Sequence, residues 1–310
     1  MTRVALVGAG VVGSSWSLVF ARAGFEVAVY DIDLASAERA VGFVREALAG
    51  FEAQGQRAAE PVDDILARIK PTARLEDALA GVDYVQESAP ERVEIKIELY
   101  KTLDRIAGPG AVLASSTSGL PASAFTEGLQ HRRRCLVVHP INPPHLIPLV
   151  EIVPAPWTEA HAVQRSTELM RRVGQSPIRL HREINGFVVN RLQSALLGEA
   201  FRLVEDGIVT ADDVDRAVSD GLGLRWCFMG PFETIDLNAK AGVAEYCRNL
   251  GPMYYGLAKE QADPRPWTTA LVETVERQLR SRTPADAIAS RQRWRDDYLA
   301  KLALFKRRQA

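Results

Sequence analysis

The chain has 310 residues, 47% of them hydrophobic, with 38 Lys+Arg against 39 Asp+Glu. That length suits two domains or one large one, with enough core to need no disulfide or metal staple. A formal charge of −1 leaves no basic footprint for nucleic acid or an anionic membrane, and the composition argues against disorder.

From Met1-Thr2-Arg3 the sequence runs directly into an apolar strand, without the basic start, apolar stretch and cleavage site of a signal peptide. No uncharged apolar run reaches the roughly 18–20 residues of a membrane span. The expectation is a soluble, cytoplasmic protein. Cys135, Cys227 and Cys247 stand too far apart for a CxxC or a metal cluster, so buried free thiols and no metal are expected.

Residues 3–7 are a short, mostly apolar run that enters Gly8-Ala9-Gly10-Val11-Val12-Gly13, followed by a helical stretch to Gly24 and a second strand, residues 26–31, closed by Asp31. Strand, glycine turn, helix, strand in this order predicts a right-handed parallel βαβ unit. Residues 34–70 read as an antiparallel helix pair broken at Gly50 and at Gln54-Gly55-Gln56. Strands are then expected at residues 84–87, 112–115, 135–139, 150–153 and 177–180, alternating with helices or turns: a doubly wound Rossmann-type α/β sheet. From Asn185 the period becomes helical, with Val188, Leu192, Leu196, Ala200, Leu203 and Val204 on one face. Thr210 reads as an N-cap ahead of Asp212 and Asp213, and a charged helix closes the chain over residues 284–309. The organisation predicted is an NAD-binding domain over residues 1–184 and an all-α substrate and dimerisation domain over residues 185–310.

A GxGxxG after a strand, opening a helix and preceding an acid at the next strand's end, is the dinucleotide fingerprint in its required context. Gly8 makes the tight turn, Gly10 admits the pyrophosphate, and Gly13 permits close helix–strand packing. The N–H groups of Val11 and Val12 at the helix start are donors for the phosphates. Asp31 suits the adenosine ribose hydroxyls and repels a 2′-phosphate, which favours NAD over NADP. FAD or another ligand on the same turn is the alternative.

Few polar residues stand at strand ends: the run Ser115-Ser116-Thr117-Ser118-Gly119, and His139 ahead of Pro140-Ile141-Asn142-Pro143. Ligands gather at the carboxyl ends of strands in open α/β sheets. A histidine there can serve as general base, and Glu151 stands where it could orient the imidazole.

At these residues the chain resembles the 3-hydroxyacyl-CoA dehydrogenases, in particular their lambda-crystallin branch, whose enzymatic activity is L-gulonate 3-dehydrogenase. The resemblance covers nearly the whole chain. It runs through residues 115–120, 139–144 and 148–158, resumes at Asn185-Gly186-Phe187-Val188-Val189-Asn190-Arg191-Leu192, and continues through residues 221–225, 230–234 and 291–296. It implies that His139 is the catalytic base and Glu151 the carboxylate that holds it. It further implies that Ser118 and Asn190 meet the substrate oxygen, that Glu91 and Lys96 contact the nicotinamide-side ribose, and that the protein is a homodimer through its helical domain. The family divides between CoA thioesters and free hydroxy acids. The stretch between Asp31 and Glu87 lacks the lysine-rich patch of acyl-CoA members, and Arg225 offers a guanidinium for a substrate carboxylate. The expected substrate is a small hydroxy acid, L-gulonate first, then L-3-hydroxybutyrate or L-carnitine. A 3-hydroxyacyl-CoA remains open, as does a crystallin-like, purely structural NAD-binding protein. For Arg225, a surface or interface salt bridge also remains open.

Overall fold

Arg3–Val7 (β1) is an apolar run with Val4 to Val7 all buried, as a central parallel strand covered on both faces requires. The computed structural model describes residues 3–56 and 58–309. Met1 and Thr2 of the start read above, Arg57 inside the expected helix pair, and Ala310 lie outside the described residues. The chain forms two compact units, one of residues up to Arg191 together with Tyr298–Arg308, the other of Leu192–Asp297.

The first unit follows β1 with α1 (Val11–Arg22), β2 (Glu26–Tyr30), α2 (Leu34–Ala53), α3 (Val62–Ala67), β3 (Ile69–Thr72), α4 (Leu75–Leu79) and β4 (Tyr84–Glu87). It continues with α5 (Val93–Ile106), β5 (Val112–Ser115), α6 (Ser123–Thr126), β6 (Cys135–Pro140), β7 (Leu149–Pro154), α7 (Ala160–Arg172) and β8 (Ser176–Arg179). Together they make an eight-stranded sheet in the order β3-β2-β1-β4-β5-β6-β7-β8. All neighbours are parallel except β6 and β7. Side chains alternate along each strand, so Val4 and Leu6 join one core with Trp16 and Phe20 of α1 and Val44 of α2. Ala5 and Val7 join the other with Tyr100 and Leu103 of α5. Strand order reverses between β1 and β4, and the crevice at such a switch point is where open α/β sheets bind ligands.

The expected helix pair differs in two ways. α2 runs straight through Gly50 and ends only at Gln54, and the last two residues expected as helix, 69 and 70, belong to the edge strand β3. A four-residue edge strand is too short for periodicity to reveal, and its Pro71 is tolerated because an edge needs fewer donors. The cysteines are free, but only Cys135 is buried; Cys247 is exposed.

The helical elements are α8 (Val189–Glu205), α9 (Ala211–Arg216), a π-helical stretch at Ala217–Leu222, α10 (Gly223–Trp226), α11 (Pro231–Leu237), α12 (Gly242–Glu260), α13 (Thr269–Arg282) and α14 (Ile288–Gln309). Thr210 caps α9 as expected, accepting from the Asp213 N–H at 3.2 Å. The expected apolar face of α8 forms but does not become core: no residue of that helix is buried, and Leu192 is 63% exposed. Among the described residues no helix is long and apolar enough to cross a membrane, and no group of three or more His, Cys, Asp or Glu could hold a metal ion.

Candidate active site

The glycine turn is built by contact. Gly8 has φ +99°, and a Cβ there would lie 2.6 Å from the Ser88 carbonyl oxygen at the end of β4. A Cβ on Gly13 would fall 1.9 Å from the Gly8 oxygen, so α1 can approach β1 this closely only through glycine. Gly10 differs: nothing lies within 4 Å of where its Cβ would be, and it opens α1 without a side-chain cap. The amides of Val11 and Val12 thus begin a helix whose N-terminal end faces open space, which suits a pyrophosphate. Asp31, directly after β2, accepts from the Ala9 N–H at 2.7 Å and the Asp33 N–H at 3.1 Å. Its carboxylate is therefore fixed against the glycine turn. Gly8, Gly10, Val11, Val12, Gly13 and Asp31 together fit a dinucleotide without a 2′-phosphate.

Three strands to the side, β6 and β7 pair with His139 directly opposite Glu151. Side chains opposite each other across an antiparallel pair share a face at close range, and His139 Nδ1 lies 2.7 Å from Glu151 Oε2. Both are buried. Glu151 Oε1 accepts from the Val188 and Val189 N–H groups at 2.8 and 3.1 Å. The backbone that delivers those amides is held in an uncommon conformation: Gly186 has φ +74° and the fully buried Phe187 has φ +50°, with its ring centroid 5.6 Å from that of His139. A bulky residue at positive φ is a strained arrangement of the kind that gathers at functional sites. Burial pushes the Glu151 pKa up; the hydrogen bonds from His139 and the two amides outweigh it, and the carboxyl stays below its ordinary value.

Between these two centres lies a polar network, buried at Glu87, Lys96 and Ser115 and exposed at Glu91 and Ser118. Glu87, last in β4, accepts from Lys96 Nζ at 2.8 and 3.0 Å, from the Ala89 N–H at 2.6 Å and from Ser115 Oγ at 2.5 Å. Glu91 Oε1 gathers the Thr117 hydroxyl at 2.5 Å and the Ser118 and Gly119 N–H groups at 2.9 and 3.1 Å. The Ser118 carbonyl accepts from Asn190 Nδ2 at 2.6 Å. The structure thus brings Ser118, Asn190, Glu91 and Lys96 into one connected set. Lys96 is 1% exposed and directs its ammonium to Glu87. Glu87 was not singled out from sequence; the available signal was a lysine on the buried stripe of α5, in line with Tyr100 and Leu103. Arg225 belongs to the other unit, exposed on α10 just after the π-helical stretch. It neighbours Tyr246, whose phenol is raised by its hydrogen bond with Tyr254, 2.9 Å away, with Arg225 opposing the rise.

A dinucleotide turn and a carboxylate-held histidine at strand ends of one sheet define a nicotinamide-dependent dehydrogenase. Residues 3–184 match the 3-hydroxyacyl-CoA dehydrogenase NAD-binding domain, and residues 186–283 match the C-terminal domain of the same enzymes. A lambda-crystallin homolog of Bos taurus is 43% identical over 306 residues, 98% of this chain and 95% of that protein. A 3-hydroxyacyl-CoA dehydrogenase of Gibberella moniliformis is 40% identical over 286 residues, 89% of this chain and 87% of its own length. Among solved structures, a 5-formyl-3-hydroxy-2-methylpyridine 4-carboxylic acid 5-dehydrogenase, an NAD+-dependent dismutase, superposes with TM-score 0.83 at 27% identity, covering 99% of each chain. The chain belongs to the 3-hydroxyacyl-CoA dehydrogenase family, NAD-dependent enzymes that act on 3-hydroxy groups.

Proposed function

We propose that this protein oxidises the 3-hydroxyl of a small free hydroxy acid, L-gulonate or a close analogue, to the ketone. The observation that carries the reading is the His139–Glu151 pair, 2.7 Å apart. Nδ1 is committed to the carboxylate, which leaves Nε2 to take the hydroxyl proton as the alcohol becomes a ketone. Glu151, held ionised by two backbone amides, stabilises the imidazolium formed, as a triad acid does for its histidine. Ser118 Oγ and the second N–H of the Asn190 amide donate to the developing alkoxide. NAD, when bound against the glycine turn, Asp31 and Glu91, would supply the hydride acceptor at its nicotinamide C4, with Lys96 acting behind Glu91. Arg225 clamps the substrate carboxylate. The functional division falls at residues 184/185, with the cofactor on the N-terminal side and the carboxylate clamp and homodimer contact on the C-terminal side.

The free acid is supported by Arg225, for which the structure gives no acidic partner among the described residues, and by the solved relative that acts on a pyridine carboxylic acid. The fungal relative favours the second reading, a 3-hydroxyacyl-CoA substrate. NADH absorbance measured against L-gulonate, L-3-hydroxybutyrate, L-carnitine and 3-hydroxybutyryl-CoA separates them. Turnover is expected on a free acid, with its KM raised at least about tenfold in Arg225→Met, as loss of a charge-assisted clamp implies. Turnover confined to the thioester, or a free-acid KM indifferent to Arg225→Met, overturns the proposal.

A further inference from the structure

The buried Glu87–Lys96 pair is not needed to explain the fold. Taking two charges out of water is costly, and packed apolar groups in their place are often neutral or stabilising. What the pair does is join parts that carry the site. Glu87 holds the turn after β4 through the Ala89 N–H, the end of β5 through Ser115, and α5 through Lys96. Lys96 Nζ stands 3.8 Å from Glu91 Oε2, while the other oxygen of Glu91 collects three donors from residues 117–119. Glu87 itself is fully buried and 46% of the Glu91 side chain is exposed, so the chain of contacts runs from the core to the surface loop that bears Ser118.

We propose that Glu87 is a positioning residue: it keeps the Lys96 ammonium on its own carboxylate, and Glu91, left to its three donors from residues 117–119, fixes the backbone of Ser118 for the reaction. The inference rests on the reading of Ser118 as a hydroxyl that meets the substrate oxygen. Without the Glu87 charge, the Lys96 ammonium turns to Glu91 and competes with the loop donors, because it is the nearest remaining anion.

The test uses the full chain saturated with NAD+, and the substrate of the panel above that the wild type turns over. In Glu87→Gln the Ser118 and Gly119 amides, which donate to Glu91, exchange with deuterium at least about tenfold faster, since local protection follows local hydrogen bonding. Turnover falls about tenfold in this variant, as expected for a displaced donor. In a Ser118→Ala background the same substitution costs no more than about twofold, because residues acting through one another are not additive. A folded Glu87→Gln protein with unchanged amide exchange overturns the inference, and so does an equal loss of kcat in both backgrounds. Should Glu87→Gln not fold, Glu87→Gln/Lys96→Met leaves no ammonium to compete for Glu91 and is expected to keep wild-type exchange at Ser118 and Gly119; faster exchange in it overturns the inference. Ser118→Ala within about threefold of wild-type kcat sinks the reading of Ser118, and this inference with it, because a lost oxyanion donor costs far more. A large Ser118→Ala effect beside unchanged exchange in Glu87→Gln sinks this inference alone.

Discussion

A histidine whose Nδ1 lies 2.7 Å from a buried carboxylate has one nitrogen left with which to exchange a proton. Replacing His139 by Gln keeps a polar group of similar reach beside Glu151 but removes the imidazole nitrogen that could take the proton. The expected result is kcat lowered at least about a hundredfold, with fold and NAD affinity retained; circular dichroism and NADH fluorescence titration check the second half. Full turnover in that variant would remove His139 from the mechanism. Glu151 yields a separate expectation in acid. Burial raises its pKa, and the bonds from His139, Val188 and Val189 lower it by more, so the folded value lies below the ordinary 4.5. A carboxylate depressed in the folded state contributes stability above its unfolded pKa and loses it as pH falls through the folded one. The stability gap between wild type and Glu151→Gln, read from urea midpoints, is therefore constant near neutrality and narrows below about pH 4.5. A gap that stays constant down to about pH 3 contradicts the shift.

At the scale of elements, the β1 turn shows what local sequence dictates. Gly8, Gly10 and Gly13 sit in one hexapeptide; the roles of Gly8 and Gly13 follow from contacts within that turn or with the strand beside it, whereas Gly10 borders open space. The turn therefore separates stability from binding. Gly13→Ala places a methyl 1.9 Å from the Gly8 oxygen and should either prevent folding or cost at least about 3 kcal/mol, beyond ordinary overpacking. Gly10→Ala meets nothing within 4 Å, so the melting temperature should hold while NAD affinity falls at least about tenfold. Equal losses of stability in the two variants contradict this division. The same locality explains what sequence could reveal. The glycine turn, Asp31 and the Thr210 cap are short-range patterns, and seven of the eight strands are readable as short, mostly apolar runs between breaks. β3 is not, being four residues at an edge with a proline inside. His139 and Glu151 could be suspected from their places at strand ends, but their contact depends on the antiparallel register of β6 and β7. The left-handed Phe187 and the Glu87–Lys96 pair depend on contacts distant in sequence. No propensity predicts an aromatic at φ +50°, or which carboxylate a helical lysine will meet.

For the molecule as a whole, burial is unevenly shared. Among the described residues of Leu192–Asp297, only Ala211, Thr234 and Leu271 are buried. α12 is 19 residues long without one buried side chain, and Phe232 is 78% exposed. A stable domain of about a hundred residues buries well over half of the surface its unfolded chain exposes. Isolated helices, moreover, owe most of their stability to packing of an apolar face. Apolar exposure on this scale points to an interface. A second copy of the chain is the natural cover, because a two-fold contact pairs each apolar patch with its own image. The expected state is a homodimer that buries about 800 Å² or more per protomer. Sedimentation should give twice the 34.1 kDa chain mass at micromolar concentration. The melting temperature should rise with protein concentration, as mass action requires when only the associated form is folded. On α12, Met253 is 50% and Leu257 41% exposed, and the two stand one turn apart on the same side of the helix. Leu257→Glu places a charge on that face. It should shift the population to monomer and lower the melting temperature, whereas the same change at an exposed polar site should leave both within error. A wild-type protein that sediments as a monomer with a concentration-independent melting temperature contradicts the assembly.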